Sequence, residues 1–295
     1  MAGIAIGRSQ LCAVVLAAGT GRPVLHAARV QPMDRPLFEV QPDAAAEDAL
    51  AQALLAVSTG FRELYAPVHV ALPDSVLRST VFELDQLPKK PQLRQSLLRW
   101  RFAREWQRSE DSIDCRGADL GRDGAHHLFF AQGGDSAWLA CVRRALARAG
   151  IRPWSMNAAA VYRFNGFHDQ ITGAAGALLA LDPDSWSLLL WDDKARLRQV
   201  LTRLRESQAS GDEAAAIADE AERAILAYVQ GDGHRQVGRL HLAGSQRDIT
   251  ALARVFDARL REPARVLRAD AVFGANLESV HDGLAPLALV AALSP

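Results

Sequence analysis

The pattern of apolar and polar positions divides the beginning of the chain into short strands and one helix, and the same division starts again past the middle. Apolar runs bounded by turns predict three strands, a helix and a further strand at residues 3–7, 11–18, 23–30, 43–64 and 68–72. The second series predicts the same order of strands at residues 177–181, 187–191, 195–201 and 237–242. A helix that opens at the capping-box pattern of residues 210–213 precedes the last of them. This recurrence predicts a duplicated α/β fold.

The residues between the two series predict a small inserted subdomain. A strand at 76–84 leads into a linker at 87–91, which contains two prolines. Two helices and two short strands are then predicted at residues 92–106, 112–114, 127–131 and 135–149. We therefore divide the chain into a first domain at 1–170, with an inserted α+β subdomain at about 76–155, and a second domain at 171–295.

The helix predicted at 92–106 carries more apolar surface than one core contact requires. Its apolar side chains form two adjacent rows, which are Leu93, Leu97 and Trp100 in one and Leu98, Phe102 and Trp106 in the other. The arginines interleaved with them are Arg94, Arg99, Arg101 and Arg104. Three interpretations stay open. The helix is wedged between two domains, it exposes a docking surface for a partner peptide or helix, or its arginines contact anionic lipid.

Charge and cysteine content narrow the classes of function. The chain has 295 residues, with 34 basic and 34 acidic side chains, so no net charge favours binding to nucleic acid. Cys12, Cys115 and Cys141 lie far apart in or beside apolar segments, which is typical of reduced core thiols. The first residues lack the pattern of a secretory signal, and the apolar segment at 284–293 is too short to span a bilayer. We expect a cytoplasmic protein with no membrane anchor among these residues.

Common catalytic and metal-binding motifs are missing from the sequence. It contains no G-x-x-x-x-G-K-[ST] phosphate loop, no G-x-S-x-G nucleophile elbow, no C-x-x-C and no H-E-x-x-H. Residues 19–21 are interpreted as a hairpin turn. His126 and His127 are adjacent, so on a strand they point to opposite faces and cannot bind one metal together. We predict no catalytic residues and no metal site.

Four stretches of the chain resemble a known family. They are GIAIGRSQLCAVVL at 3–16, VALPDSVLRSTVFELDQLPKKPQLRQSLLRWRFAREW at 70–106, ACVRRALARAGIRPWSMNAAAVYRF at 140–164 and GRLHLAGSQRDITALARVFDARL at 238–260. In this order they resemble PilM-like type IV pilus assembly proteins, together with the related MSHA-pilus biogenesis protein and the cytoplasmic domain of type II secretion protein L. The middle two are the most specific, because they resemble the inserted subdomain that distinguishes this family from actin and from sugar-kinase-like folds.

The resemblance implies a fold, a location and a partner. The fold would be two actin-like, ribonuclease H-like domains with a small inserted subdomain. The protein would be a cytoplasmic scaffold that a PilN-like protein holds at the inner membrane, beside other proteins of the pilus or secretion platform. In this family the partner's short N-terminal peptide lies in a groove between the first and the inserted subdomains. The residues predicted to bind it here are Leu97, Trp100, Arg101 and Arg104.

The resemblance also implies a nucleotide site, from which this sequence departs. The family's first phosphate loop has aspartate where this chain has Ala5, whereas Gly7, Arg8 and Ser9 still offer anion contacts. In the second loop, at residues 180–185, Pro183 lacks an N–H donor and the neighbouring aspartates repel phosphate. At the adenosine side the turn that contains Gly244 and Ser245 is typical of both a ligand-binding wall and a simple packing turn.

We therefore expect a degenerate nucleotide site without cofactor or ATP hydrolysis. The residues that would line it are Gly7, Arg8, Ser9, Asp182, Gly244 and Ser245. The alternative is an active actin-like ATPase or phosphotransferase that uses Mg-ATP, with Asp182 near the magnesium ion and Gly244 beside the adenosine.

Overall fold

The computed structural model describes residues 1–17, 24–58, 67–171, 174–205, 213–231, 236–268 and 285–293. The elements of the first part are β1 (Ala2–Ile6), β2 (Gln10–Ala17), β3 (Val24–Pro32), α1 (Ala44–Ser58), β4 (Val68–Leu72), β5 (Leu77–Leu84), α2 (Pro91–Trp106), β6 (Ile113–Asp123), β7 (His126–Asp135), α3 (Ser136–Arg148), β8 (Pro153–Ala158), α4 (Ala159–Gly166) and α5 (His168–Ile171). Those of the second part are β9 (Gly176–Leu181), β10 (Ser185–Trp191), β11 (Leu197–Leu204), α6 (Glu213–Gln230), β12 (Arg239–Ala243), α7 (Gln246–Asp257), β13 (Arg265–Val266) and α8 (Ala285–Leu293). The turn predicted at 19–21 and the capping residues predicted at 210–212 lie outside the described residues.

Two five-stranded sheets repeat one topology. Their strand orders are β3-β2-β1-β4-β8 and β11-β10-β9-β12-β13. In each sheet the first three strands are antiparallel neighbours and the last three are parallel. The predicted duplication is therefore confirmed. The structure adds a fifth strand to each copy, β8 and β13, which the apolar pattern did not indicate.

Alternating side chains of the central strands face two different cores. In β1, Ile4 and Ile6 point to an outer core with α1 and α3, whereas Ala5 points to an inner core. The inner core combines apolar residues of both sheets with those of α4 and α8. The helices α6 and α7 cover the outer face of the second sheet. Strands β1, β4, β9 and β10 are buried along their full length because both of their faces are covered.

The inserted subdomain is the antiparallel sheet β5-β7-β6 with α2 against it. Leu98 and Phe102 of α2 are buried in its core, so this row of the helix faces inward. The sequence division placed the helix at 135–149 in the same subdomain, which the structure corrects. That helix, α3, lies against α1 and buries Trp138 and Val142 in the outer core of the first sheet.

Two further features of the described residues are the state of the cysteines and the length of the helices. Cys12, Cys115 and Cys141 are buried and unpaired, as expected for core thiols. Burial raises the pKa of the Cys12 thiol to about 12, so this group stays protonated at neutral pH. None of the helices in the described ranges is long and apolar enough to cross a membrane.

The last described helix returns to the first sheet. Although α8 falls within the second predicted domain, it packs against β1, β2, β4 and α4. A Cβ atom at Gly3 would overlap the backbone of Ala288 and lie 2.6 Å from the backbone nitrogen of Ala292. Only a glycine therefore lets β1 and α8 approach this closely. The domain boundary predicted at residue 170 stays a prediction.

Gly3→Ala is expected to lower the free energy of unfolding by about 3 kcal/mol, because the new methyl group must push α8 away from β1. Urea denaturation measures the change. The control is Gly231→Ala, where the nearest atom to a new Cβ would be the Ala227 carbonyl oxygen at 3.2 Å. Its expected change is within about 0.5 kcal/mol. Equal losses for the two variants would contradict the close approach at Gly3.

Candidate functional site

The two predicted phosphate loops meet in a cleft between the sheets. The β1–β2 loop contributes Gly7, Arg8 and Ser9, and the β9–β10 loop contributes residues 182–184. Together with neighbours that include Leu287 of α8, they line a cavity of about 40 Å³. Pockets for ligands of nucleotide size have volumes of roughly 300–1,000 Å³. The residues of the two loops lie together, and the cavity that the described residues line is far smaller than a nucleotide pocket.

The donors of these loops bond within the protein. The Gly7 amide donates to the Gln10 carbonyl oxygen at 2.9 Å, and the Asp182 amide donates to the Ser185 carbonyl oxygen at 2.8 Å. The Arg8 guanidinium, expected near phosphate, is paired with the Glu39 carboxylate. These donors would have to break existing bonds before they could contact a phosphate group.

Gly244 and Ser245 do not line this cavity. A Cβ at Gly244 would lie 2.9 Å from the Leu181 carbonyl oxygen, so glycine allows the turn to approach the end of β9. The Ser245 hydroxyl is the N-cap of α7, where it accepts from the Asp248 amide at 3.2 Å and donates to the Asp248 carboxylate at 2.8 Å. Of the two interpretations of this turn, the geometry favours packing.

A buried ion pair closes the cleft. Nη2 of Arg163, from α4, donates to Oδ1 of Asp182 at 2.6 Å, and the two side chains are only 8% and 4% exposed. Burial acts to lower the pKa of Arg163, but the carboxylates of Asp182 and Asp74 outweigh it and raise this pKa. Asp182, which the alternative hypothesis places near magnesium, thus has a guanidinium as its counter-ion.

Asp74 is the second buried carboxylate of the cleft, and the sequence pattern showed it only as part of a turn. Its Oδ1 accepts from the Ala160 amide at 3.0 Å, and its Oδ2 accepts from the Ser187 hydroxyl at 2.8 Å. Burial, followed by repulsion from Asp182, raises the pKa of Asp74 to about 7. Sequence reasoning missed both Asp74 and Arg163. The only signal for Arg163 was a charged residue inside the apolar run at 158–164.

These contacts join the two halves of the molecule. The Arg163–Asp182 pair and the Asp74–Ser187 hydrogen bond both link first-half elements to the β9–β10 hairpin. Beside them, the Ser75 hydroxyl donates to Asp184 Oδ2 at 2.7 Å. At the inserted subdomain, Arg198 of β11 lies 2.6 Å from the Asp123 carboxylate of β6. The cleft is therefore bridged by hydrogen bonds and ion pairs of the protein itself.

A second and larger cavity, which we name the subdomain groove, lies between the first sheet and the inserted subdomain. Its volume is about 470 Å³, and its walls are residues 38–41 after β3, residues 75–78, the end of α2 at 105–108, Asp135 and Trp138. The ring centroids of Phe38 and Trp138 are 4.7 Å apart in an edge-to-face arrangement. Arg108 is paired with Asp135 at 2.6 Å.

The subdomain groove contains an unused hydrogen-bond donor. The indole N–H of Trp138 donates to the Val40 carbonyl oxygen at 2.9 Å. The indole N–H of Trp106 is buried and has no partner within the described parts of the chain. Since a buried donor without a partner is costly, any movement of the Trp106 ring that lets this N–H reach an acceptor would be favourable.

The predicted partner-binding residues lie on another face of α2. Leu97, Trp100, Arg101 and Arg104 do not line the subdomain groove. They form a surface in which the Arg101 guanidinium lies 4.7 Å from the ring centroid of Phe82 and the Arg104 guanidinium lies 5.6 Å from that of Trp100. These residues are close in sequence to Glu105 and Trp106, which line the groove, but they lie on a different face of the helix.

Metal ligands do not gather in the part of the chain that the structure describes. No group of three or more histidine, cysteine, aspartate or glutamate side chains is placed to hold an ion there. His126 lies 2.8 Å from Asp85, whereas the nearest carboxylate contact of His127 is Asp119 at 3.8 Å. The two adjacent histidines thus have separate neighbours.

Comparison with known proteins supports the fold. No protein-family model and no curated protein matches the chain. It is similar to a solved PilM-PilN type IV pilus biogenesis complex, with 17% identity, a TM-score of 0.71 and coverage of 100% of this chain and 98% of the other. It is also similar to the cytoplasmic domain of EpsL, an inner membrane component of the Vibrio cholerae type II secretion system, with 12% identity, a TM-score of 0.52 and coverage of 99% and 93%.

A third similar structure is a Bacteroides thetaiotaomicron protein with an actin-like ATPase fold and unknown function. Its identity is 11%, its TM-score is 0.54, and the match covers 98% of this chain and 94% of the other. At these identities the likeness shows the fold. The predicted duplicated actin-like architecture and its structural resemblance to PilM are confirmed.

Arg163→Met is expected to lower the free energy of unfolding by about 3–5 kcal/mol, because it leaves the Asp182 carboxylate buried without a counter-ion. Urea denaturation of this variant and of the double variant Arg163→Met with Asp182→Leu measures the effect. The double variant is expected to recover most of the loss, since it removes both charges. A double variant that is less stable than either single variant would contradict this account of the pair.

Asp74→Asn is expected to flatten the pH dependence of stability. The ordinary aspartate pKa is 3.8 and the folded value is about 7, so the folded protein holds the extra proton between these pH values. The contribution of Asp74 to the free energy of unfolding therefore falls as pH rises through this window. In the asparagine variant the amide oxygen can still accept from the Ala160 amide, while the amide nitrogen donates to Ser187 Oγ instead of accepting from it. This variant should gain stability relative to the wild type as pH rises. A stability profile of Asp74→Asn that runs parallel to that of the wild type would refute the raised pKa of Asp74.

Proposed function

We propose that this chain is a scaffold protein of a type IV pilus or type II secretion platform and does not hydrolyse ATP. It holds the cytoplasmic peptide of a PilN-like inner-membrane protein in the subdomain groove. The observation that carries the proposal is this groove, which lies between the first and the inserted subdomains of a PilM-like fold. On this proposal the protein is cytoplasmic, and its partner keeps it at the inner membrane beside other platform proteins.

The chemistry of the subdomain groove suits an extended peptide. Phe38 and Trp138 offer an aromatic wall for an apolar side chain. The Trp106 ring lines the groove, and on this proposal a small shift of the ring on binding lets its unpartnered N–H donate to a main-chain carbonyl. Arg78, Glu105 and Glu39 add charges of both signs at the rim, which can select the peptide by its own charge pattern.

The geometry of the cleft supports the second part of the proposal, that the protein acts as a scaffold without bound nucleotide. ATP would need a cavity several times larger than about 40 Å³. Its entry would separate Arg163 from Asp182 and Ser75 from Asp184, and these buried contacts already hold the two halves together. In this proposal the protein's own side chains do what a bound nucleotide does in actin-like ATPases, which is to bridge the two lobes.

The test is titration calorimetry with a synthetic peptide of the cytoplasmic segment of a PilN-like protein encoded beside this chain. The intact chain is expected to bind it, and Trp106→Phe should weaken binding about fivefold, because it removes one hydrogen bond of about 1 kcal/mol and keeps the ring. The matched control is Trp100→Phe, which lies outside the groove and should bind as the wild type does. Absence of binding, or a loss only with Trp100→Phe, would refute the groove assignment.

Titration calorimetry with Mg-ATP tests whether the protein works without nucleotide. Mg-ATP is expected to give no binding heat with the wild type. Micromolar binding that Asp182→Asn abolishes would support the alternative, an active Mg-ATP phosphotransferase, and would overturn the scaffold without nucleotide.

A further inference from the structure

The segment from residue 89 to residue 104 is strongly positive, although the chain as a whole has no net charge. It contains no aspartate or glutamate, although the whole chain has 34 acidic and 34 basic side chains. Its basic residues are Lys89, Lys90, Arg94, Arg99, Arg101 and Arg104. All six lie on α2 or immediately before it.

The outer face of α2 combines these charges with exposed apolar side chains. Leu93 is 56% exposed and Trp100 is 46% exposed, although the inward row of Leu98 and Phe102 is buried. Leu93, Leu97, Trp100 and Arg104 recur at helical spacing, so they form one ridge parallel to the helix axis. We name this ridge, with its flanking cations, the α2 outer face.

The cations of the α2 outer face are not neutralised by the protein. No ion pair joins them to a carboxylate in the part of the chain described here, where many other arginines have one. Arg101 and Arg104 instead lie against the rings of Phe82 and Trp100. Charges that the fold leaves unpaired around an exposed tryptophan are available to an anionic surface.

We propose that the α2 outer face binds the anionic surface of a lipid bilayer. An exposed leucine and an exposed tryptophan beside unpaired arginines suit the headgroup region of a bilayer, where tryptophan and cations are enriched. The face does not line the subdomain groove, whereas a partner peptide docks best in a groove. Clusters of four to eight basic residues on such a helix are typical of binding to anionic headgroups.

The position of the subdomain groove agrees with this assignment. The residues that follow Arg104, at 105–108, form one wall of the groove. A membrane-anchored peptide held there would therefore contact residues close in sequence to the α2 outer face, although that face is turned away from the groove. This step rests on the proposed function, whereas the charge and exposure of the face do not.

The test is sedimentation of the intact chain, without any partner, with vesicles of phosphatidylglycerol and phosphatidylethanolamine in equal parts. Binding is expected with these vesicles, should weaken as salt is added, and should be absent with phosphatidylcholine vesicles. Inorganic phosphate at the same phosphate concentration should not displace the protein. Because no peptide is present, the result is independent of the groove.

Variants of matched geometry locate the contact. Arg94→Gln with Arg101→Gln should lower the vesicle partition coefficient about twenty-five-fold, at about fivefold for each guanidinium. The control is Arg247→Gln with Arg254→Gln, which has the same spacing on the exposed side of α7 and should bind as the wild type does. Thermal melting by circular dichroism verifies that each variant is folded.

Quenching by bromine-labelled lipid gives a second measurement that does not depend on removing arginine. The labelled anionic vesicles should quench the tryptophan fluorescence of the wild type, and the Trp100→Phe variant should lose most of this quenching. Trp154→Phe should keep it, although Trp154 is 74% exposed on β8.

Three results would overturn the proposal. They are no sedimentation with anionic vesicles, equal losses in the two arginine pairs, and binding of soluble polyglutamate to the face without binding of vesicles. The last would assign the α2 outer face to an acidic protein.

Discussion

Much of this structure depends on how buried charges are satisfied where the two sheets meet. Arg163, Asp74 and Asp182 come from three separate parts of the chain, and each is almost fully removed from water. A charged group in such a place needs a counter-ion, or, if it is a carboxylate, it can bind a proton and become neutral, because an unpaired buried charge is strongly destabilising. Arg163 and Asp182 satisfy one another, and the raised pKa of Asp74 relieves the remaining carboxylate. The loops beside them are thereby fixed in a closed arrangement.

The sequence predicts the repeated strands well because their burial is local information. Strand β9 is a continuous apolar run between turns, and the apolar residues of β10 are equally close together. Gly7 and Asp182 were implied by the family resemblance and not by this pattern. The missed strand β8 reads Pro-Trp-Ser-Met-Asn-Ala. Its apolar and polar residues alternate from 154 to 158, but this short run follows a proline and begins with the exposed Trp154. Pairing with β4 defines the strand, and no local pattern encodes that contact.

The candidate site was harder to predict for the same reason. Arg163 and Asp74 matter only because the two halves bring them together, and their neighbours in sequence do not show this. For α2, either of two apolar rows could have faced the core. The row that contains Phe102 is buried, and the contact between the rings of Phe102 and Phe82, whose centroids are 5.9 Å apart, is part of this packing. The first row, with Trp100, is thereby left outside. Periodicity identified the helix but could not choose between its faces.

The return of α8 to β1 has a consequence for how the protein is made. The backbone of β1 at Gly3 contacts Ala288 of α8, which is translated 285 residues later. Domains often fold during translation, from the N-terminus onward. Here the inner apolar face of β1 stays uncovered until α8 has been translated, so chaperones have access to this face during that interval.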